Sequence, residues 1–106
     1  MNIVFEHDGK KYTLEYTLKT AAMAERAGLR VQEIDQKLGE QVPILVNGAF
    51  QAHHRGMTLK QTNAIYADIK KKNDFISALL EMYMDAVSAL VDMDEEDEGN
   101  ANWTVT

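Results

Sequence analysis

Hydrophobic and polar residues alternate at the start of the chain, which is the pattern of a β-hairpin. Asn2–His7 and Lys10–Tyr16 flank Asp8-Gly9, a pair that tolerates the positive φ angles of a two-residue type I′ turn. Turn type and apolar pattern agree on one register, which places the apolar side chains on one face. This register forms two cross-strand apolar pairs, Phe5 with Tyr12 and Ile3 with Leu14.

After the hairpin, apolar residues recur at helical spacing and predict short helices. The first covers Ala21–Ala27, with Thr17 or Thr20 as its N-cap, and stops at Gly28 because glycine readily adopts the left-handed conformation that ends helices. A second short helix is predicted over Val31–Leu38, which carries one apolar stripe.

Two further helices follow. Pro43 suits the first turn of the next helix, where its missing N–H does no harm, and Gly56 ends that helix. Thr58-Leu-Lys-Gln61 has the form of a capping box and opens another. Lys70–Lys72 are expected in the last turn of that helix, where cations complement the helix dipole.

The longest predicted helix covers Asp74–Val91, with Asn73 as its N-cap. The predicted fold class is therefore α+β, mostly helical, with an N-terminal β-hairpin packed on a small helical bundle and a flexible acidic C-terminal tail. Residues 1–91 form a single α+β domain, and residues 92–106 form the acidic tail with its Trp-containing segment. The expected core residues are Phe5, Tyr12, Leu14, Phe50, Ile65, Leu79 and Tyr83.

Charge is unevenly distributed along the 106 residues. The net charge is −6, all eleven Lys and Arg residues lie in 1–91, and eleven of the seventeen acidic residues lie there too. The other six fall within Asp92–Glu98, so the domain is neutral and the tail carries the net charge. A neutral domain argues against nucleic acid as a partner, and no apolar run is long enough to span a membrane.

Candidate chemistry is sparse. The chain has no cysteine, and it lacks a nucleophile elbow, a phosphate-binding loop and a dinucleotide-binding motif. His53 and His54 are adjacent and point about 100° apart on a helix, so they are not expected to share a metal. His53 is expected to face the edge of the core and His54 the solvent. We therefore predict no catalytic, cofactor-binding or metal-binding residue and no enzymatic activity.

The tail is the candidate partner-binding segment, because Trp103, the only tryptophan, lies beyond the acidic residues and outside every predicted core element. Three interpretations are open. The acidic run is a solubilising segment, or Trp103–Thr106 adds a third strand to the hairpin, or the tail is a linear motif steered by its acids to a basic partner. The candidate residues are Asp94, Glu95, Glu96, Asp97, Glu98 and Trp103.

Several short motifs together resemble small tail-assembly-chaperone proteins of phages and prophages of Gram-positive bacteria. The resemblance covers nearly the whole chain, and the acidic ending with Asn and Trp is its most distinctive part. The motifs are Tyr12-Thr-Leu-Glu-Tyr16, Glu25-Arg-Ala-Gly28-Leu29, Asn47-Gly-Ala-Phe50, Leu80-Glu-Met-Tyr83 and Glu95-Glu-Asp-Glu-Gly-Asn100-Ala-Asn-Trp103.

The resemblance implies a non-enzymatic chaperone that binds the tape-measure protein, and the tail tube protein as a further partner, during assembly in the host bacterial cytoplasm. Such a chaperone is not expected in the mature virion. Exposed apolar surface also leads us to expect a homo-oligomer, whereas nucleic acid and membrane are not expected as partners. The alternative is a minor structural virion component or a protein-binding inhibitor of a host factor.

Overall fold

The computed structural model describes residues 1–91, 101 and 103–105. In this part of the chain, an N-terminal hairpin packs on four helices, which confirms the predicted mostly helical α+β fold. Single turns of 3-10 helix cover Val31–Glu33 and Ser88–Leu90. The regular elements are β1 (Ile3–His7), β2 (Lys10–Leu14), α1 (Leu18–Arg26), α2 (Leu38–Phe50), α3 (Leu59–Ala67) and α4 (Lys72–Val87).

The hairpin has the predicted turn and register. Asp8 and Gly9 have φ angles of 51° and 78°, as a type I′ turn requires. The antiparallel strands pair Phe5 with Tyr12 and Ile3 with Leu14. Just beyond β2, the N–H of Glu15 donates to the carbonyl of Ala49 at 3.0 Å, so the hairpin is tied to the end of α2.

Helix α1 begins at a capping box, three residues before the predicted Ala21, and the predicted Gly28 terminates it just after Arg26. Thr17, rather than Thr20, is the N-cap, and the two threonines bond to each other's backbone N–H. Gly28 has a φ of 114°, and the N–H of Leu29 donates to the carbonyl of Ala24 at 2.9 Å, which is the Schellman arrangement. Leu29 is thereby directed into the core.

The predicted helix over Val31–Leu38 is wrong. Its first three residues make a single 3-10 turn, and its last residue is the first of α2. Buried Gln41 explains the difference, because its Oε1 accepts from the N–H of Arg30 at 2.5 Å and its Nε2 donates to the carbonyl of Gly28 at 3.1 Å. These long-range hydrogen bonds hold the segment between α1 and α2 against α2. They outweigh the helical spacing of the apolar residues in that segment.

The predicted position of Pro43 is also wrong, since α2 begins five residues before it and Pro43 lies inside the helix. A proline there cannot donate to the carbonyl of Gly39, one turn earlier. Gly39 is exposed, so water can solvate that carbonyl and limit the cost. The helix ends at Phe50, and turns continue to Gly56, which has a φ of 86°.

Helix α3 begins as predicted, with the side chains of Thr58 and Gln61 each bonded to the other's backbone N–H. Its end differs from the prediction, because α3 stops at Ala67, before Lys70–Lys72. The ammonium of Lys72 nevertheless donates to the carbonyl of Ala67 at 3.1 Å, so one lysine still complements that C-terminal end.

The start of α4 corrects a further prediction. Asn73 is not its N-cap, because the helix begins at Lys72. Lys71 has a φ of 55°, and this left-handed residue separates α3 from α4. Relative to the predicted span Asp74–Val91, the helix begins two residues earlier and is shorter at its C-terminal end, since the α-helix ends at Val87 and a 3-10 turn follows.

Side chains from the hairpin and all four described helices form one core. Phe5 is only half-buried at the flank of this core, whereas the other predicted core residues are buried. Those buried residues are Tyr12, Leu14, Phe50, Ile65, Leu79 and Tyr83.

Tyr16 lies at the centre of the packing between these elements. Its hydroxyl donates to the carbonyl of Leu45 at 2.6 Å, and its ring meets that of Tyr83 edge-on at 5.6 Å between centroids. The phenol end lies directly over Gly48 of α2. A Cβ at Gly48 would overlap the Tyr16 hydroxyl and would lie 3.1 Å from the Cβ of Ala24, so the close approach of α1, α2 and the hairpin requires glycine there.

Two glycine substitutions in the same helix are expected to act in opposite directions. Gly48→Ala should lower the free energy of unfolding by about 1–3 kcal/mol, because buried Tyr16 has no room to move. At Gly39 an added Cβ meets nothing within 4 Å, so Gly39→Ala should raise the free energy of unfolding by about 0.5–1 kcal/mol, because alanine has the higher helix propensity. Urea unfolding of both variants measures the difference, and effects of the same sign would contradict this account.

Candidate protein-binding surface

A concave apolar surface lies between the first halves of α2 and α4. We call it the α2–α4 groove, and its volume is about 680 Å³. Leu38 stands at its edge with 59% of its surface exposed, although leucine is normally buried. The groove is lined mainly by Ile34, Leu38, Val42, Pro43, Tyr66, Ile76 and Leu80.

The groove forms because the first turns of α2 and α4 carry apolar side chains that lie beside each other. Because α2 begins as early as Leu38, its first turns project Leu38 and Val42 beside α4. On α4, Ile76 and Leu80 are one turn apart and therefore share a face. The helical stripes that predicted a core thus also supply a surface that is left open to solvent.

Charged side chains surround one end of the groove. Lys72 lines it, and the neighbouring Lys70 and Lys71 are also exposed. No carboxylate in the described part of the chain lies within 4.0 Å of these three ammonium groups. Asp35 also lines the groove, so its lining carries one charge of each sign, and Lys70 and Lys71 lie next to Lys72 in the sequence.

A second, smaller groove of about 390 Å³ lies between α1, α2 and the start of α3. Met23, Met57 and Leu59 supply its apolar surface, and the amides of Asn47 and Gln51 lie on its floor. Both amides donate to the carbonyl of Met57 at 3.0 Å, so they are occupied in fixing the turn before α3. The polar groups of this groove therefore have a structural role.

The predicted tail residues are only partly described. Asp94, Glu95, Glu96, Asp97 and Glu98 lie outside the described residues. Trp103 is 81% exposed and Val105 is 88% exposed. Neither is in a strand, and the sheet in the described part of the chain has two strands, so residues 103–105 do not form the third strand that was one of the interpretations.

Several motifs that carry the family resemblance contact one another inside the fold. The hydroxyl of Tyr83 donates to the carboxylate of Glu25, and burial and then this hydrogen bond raise the pKa of Tyr83 to about 12. Tyr16 likewise packs on Gly48. These motif residues stabilise the domain, whereas Trp103, from another of the motifs, is exposed.

A family model described as "Domain of unknown function (DUF5055)" matches residues 1–106. The chain belongs to this family. The comparison with curated proteins and the comparison with solved structures each found no match. The family description names no activity, so the function of this DUF5055 protein is argued from its own residues.

The histidine pair of the DUF5055 protein is arranged in the reverse of the predicted way. His53 is exposed and contacts Glu15 at 2.7 Å. His54 is half-buried, and its ring meets those of Tyr12 and Phe50 edge-on. The reason is the edge of β2, where the N–H of Thr13 needs an acceptor and finds Nε2 of His54 at 3.0 Å.

The described residues contain no group of three or more His, Asp or Glu side chains that could hold a metal ion. No helix among them combines the length and the apolarity needed to cross a membrane.

His54 and His7 have pKa values shifted in opposite directions. Burial, with smaller effects from Lys10 and His53, lowers the pKa of His54, so its neutral ring accepts from Thr13. A hydrogen bond to Asp68 at 2.8 Å raises the pKa of His7; the charges of Asp8 and Asp68 add to this and partial burial opposes it.

We expect the two rings to titrate on opposite sides of pH 6.5, which NMR of their ring protons measures. The contribution of His54 to stability is present above pH 6.5 and is lost as the pH falls through its lowered pKa. That of His7 is present below pH 6.5 and is lost as the pH rises through its raised pKa. As a control, Asp68→Asn should lower the midpoint of His7 alone, and an equal shift of His54 would contradict these assignments.

Proposed function

We propose that this DUF5055 protein is a non-enzymatic phage tail assembly chaperone that binds the tape-measure protein and assists assembly of the tail tube. The observation that carries the proposal is the exposure of two apolar features, the α2–α4 groove and Trp103. Exposed apolar surface of this kind is typical of protein-binding sites. The resemblance of the motifs to tail assembly chaperones supplies the identity of the client.

The groove is suited to one face of a client helix. It runs between two helices, its floor is apolar, and its edge carries the exposed Leu38. An amphipathic helix binds such a groove by burying apolar residues spaced one turn apart. A tape-measure protein, as a long helical protein, would otherwise expose such faces to solvent before the tube encloses it.

The tail would act on the encounter with the client and on the lifetime of the complex. Six acidic residues of Asp92–Glu98 carry the net charge of the chain and would attract a basic client segment. Trp103, with 81% of its surface exposed, would then anchor the tail in an apolar pocket of the client. We therefore expect the acidic residues to affect the association rate and Trp103 to affect the dissociation rate.

Assembly would take place in the host bacterial cytoplasm, and the chaperone would leave before the virion is complete. Mass spectrometry of purified particles tests this point, because a chaperone is absent from them whereas a minor structural component is retained. Affinity capture from infected cells provides a second test. Recovery of the tape-measure protein supports the proposal, and recovery of a host enzyme instead would favour the inhibitor alternative.

Two matched variants test the groove. Leu38 and Leu59 are the first residues of α2 and α3, and both are about half exposed, but only Leu38 lines the α2–α4 groove. Leu38→Asp should weaken tape-measure binding by about tenfold or more, because it places a charge where an apolar face must dock. Leu59→Asp should leave the affinity unchanged. Isothermal titration with each full-length variant measures both, and equal losses would contradict the assignment of the groove.

A second pair of variants separates steering from anchoring. Replacing the six carboxylates of Asp92–Glu98 by amides should slow association with the client, most strongly at low salt where charges are least screened. Trp103→Ala should instead raise the dissociation rate and leave the salt dependence unchanged. Stopped-flow binding at two salt concentrations distinguishes the two effects. If both variants bind like the natural chain, the tail is only a solubilising segment.

A further inference from the structure

The two edges of the hairpin differ in how their backbone groups are satisfied. On the outer edge of β2, the N–H of Thr13 donates to His54 and the N–H of Glu15, just beyond the strand, donates to Ala49. Helix α2 and the turn after it therefore cover this edge at Thr13 and Glu15.

The outer edge of β1 is open. Alternate residues of an antiparallel strand direct their N–H and C=O to opposite sides, and directly opposed residues direct theirs alike. The backbone N–H and C=O of Thr13 point away from β1. Those of its partner Val4 therefore point away from β2, and those of Glu6 do so as well. No other described residue makes a hydrogen bond to the backbone of Val4 or Glu6. These two residues offer two donors and two acceptors for one more strand.

The core-facing side chains of β1 are also incompletely covered. Its core-facing residues Ile3 and Phe5 are only half-buried, whereas Leu14 and Tyr12, opposite them on β2, are buried. Strand β1 has no proline and pairs residue by residue without a bulge, so it lacks two of the devices that block an edge. An additional strand with apolar side chains facing Ile3 and Phe5 would extend the core over this flank.

The chain carries a segment with the matching pattern. Residues 103–105 read Trp-Thr-Val, so two strongly β-forming apolar side chains lie on one side of an extended segment and the threonine on the other. Trp103 and Val105 are 81% and 88% exposed and belong to no strand. Acceptor edge and donor segment are thus both present and both unpaired in one chain.

We propose that residues 103–105 of a second copy pair antiparallel with β1. In the register that fits, Thr104 lies opposite Val4 and exchanges both backbone hydrogen bonds with it. Trp103 then lies beside Phe5, and Val105 beside Ile3, on the core-facing side. These are non-hydrogen-bonded pairs, in which side chains approach most closely, and aromatic pairs stabilise sheets most at such positions.

Pairing between copies agrees with the exposure of both halves in the single chain. The twelve residues from Val91 to Trp103 span up to about 40 Å when extended, enough to reach a neighbouring molecule. If each copy donates its segment to the other, a closed dimer results and neither β1 edge stays open. The inference concerns the free protein and does not depend on the proposed client.

The test compares full-length Thr104→Pro with Thr104→Ala. Proline removes the N–H that the carbonyl of Val4 would accept, whereas alanine keeps it. Position 104 lies outside every element, so neither variant should change the melting temperature at concentrations where the chain is monomeric. Sedimentation equilibrium should show a dimer whose dissociation constant rises about tenfold or more in Thr104→Pro only. The fluorescence of Trp103 should shift to the blue with rising concentration in the natural chain, and the amide of Val4 should become protected from exchange.

Each contrary result would overturn the proposal. A single-chain mass at all practical concentrations excludes pairing between copies. Protection of the Val4 amide that is independent of concentration would show that the segment pairs within its own chain. A dimer that Thr104→Pro leaves intact, with the Val4 amide still exchanging freely, would place the interface elsewhere. Because no client is present in the experiment, none of these outcomes bears on tape-measure binding.

Discussion

The arrangement of the domain depends on the seating of one phenol over one glycine. Tyr16 follows the hairpin, donates to the carbonyl of Leu45, and rests on Gly48 in α2. Its hydroxyl is deeply buried, and burial raises the pKa of Tyr16 far above its usual value, so the group is always a neutral donor. A buried donor without its acceptor would be costly, so this hydrogen bond fixes the hairpin against α2 at a set depth. Helices α1 and α4 then pack around the same ring.

The parts of this fold that were predictable are those specified by neighbouring residues. The turn at Asp8-Gly9, the stop at Gly28 and the capping box at Thr58 each depend on a few consecutive residues, and each is correct. The errors have the opposite origin. Buried Gln41 binds backbone groups more than ten residues away, and His54 turns inward to serve Thr13 on another element. Spacing along the chain carries no information about such distant partners.

The candidate site shows the same division. An apolar stripe on α4 was visible in the sequence, but Ile76 and Leu80 line an open groove only because α2 begins earlier than Pro43 suggests. The sequence pattern assigns the exposed Leu38 to the Val31–Leu38 helix, which does not form. Trp103 could be singled out by its rarity and its position beyond the acids, since that argument needs no knowledge of packing. What a sequence pattern cannot give is which apolar residues remain uncovered once the helices meet.

The hydrogen bonds that hold β2 have a consequence for the order in which the protein takes shape during synthesis. Thr13 bonds to His54, Glu15 to Ala49 and Tyr16 to Leu45, and these partners leave the ribosome 29–41 residues later. An isolated two-stranded hairpin is marginal in water. The first segment of the nascent chain to be made is therefore among those that must wait for a partner, and α2 is the element whose emergence lets the hairpin settle. Chain growth, rather than local propensity, sets the time at which the two halves of this small domain meet.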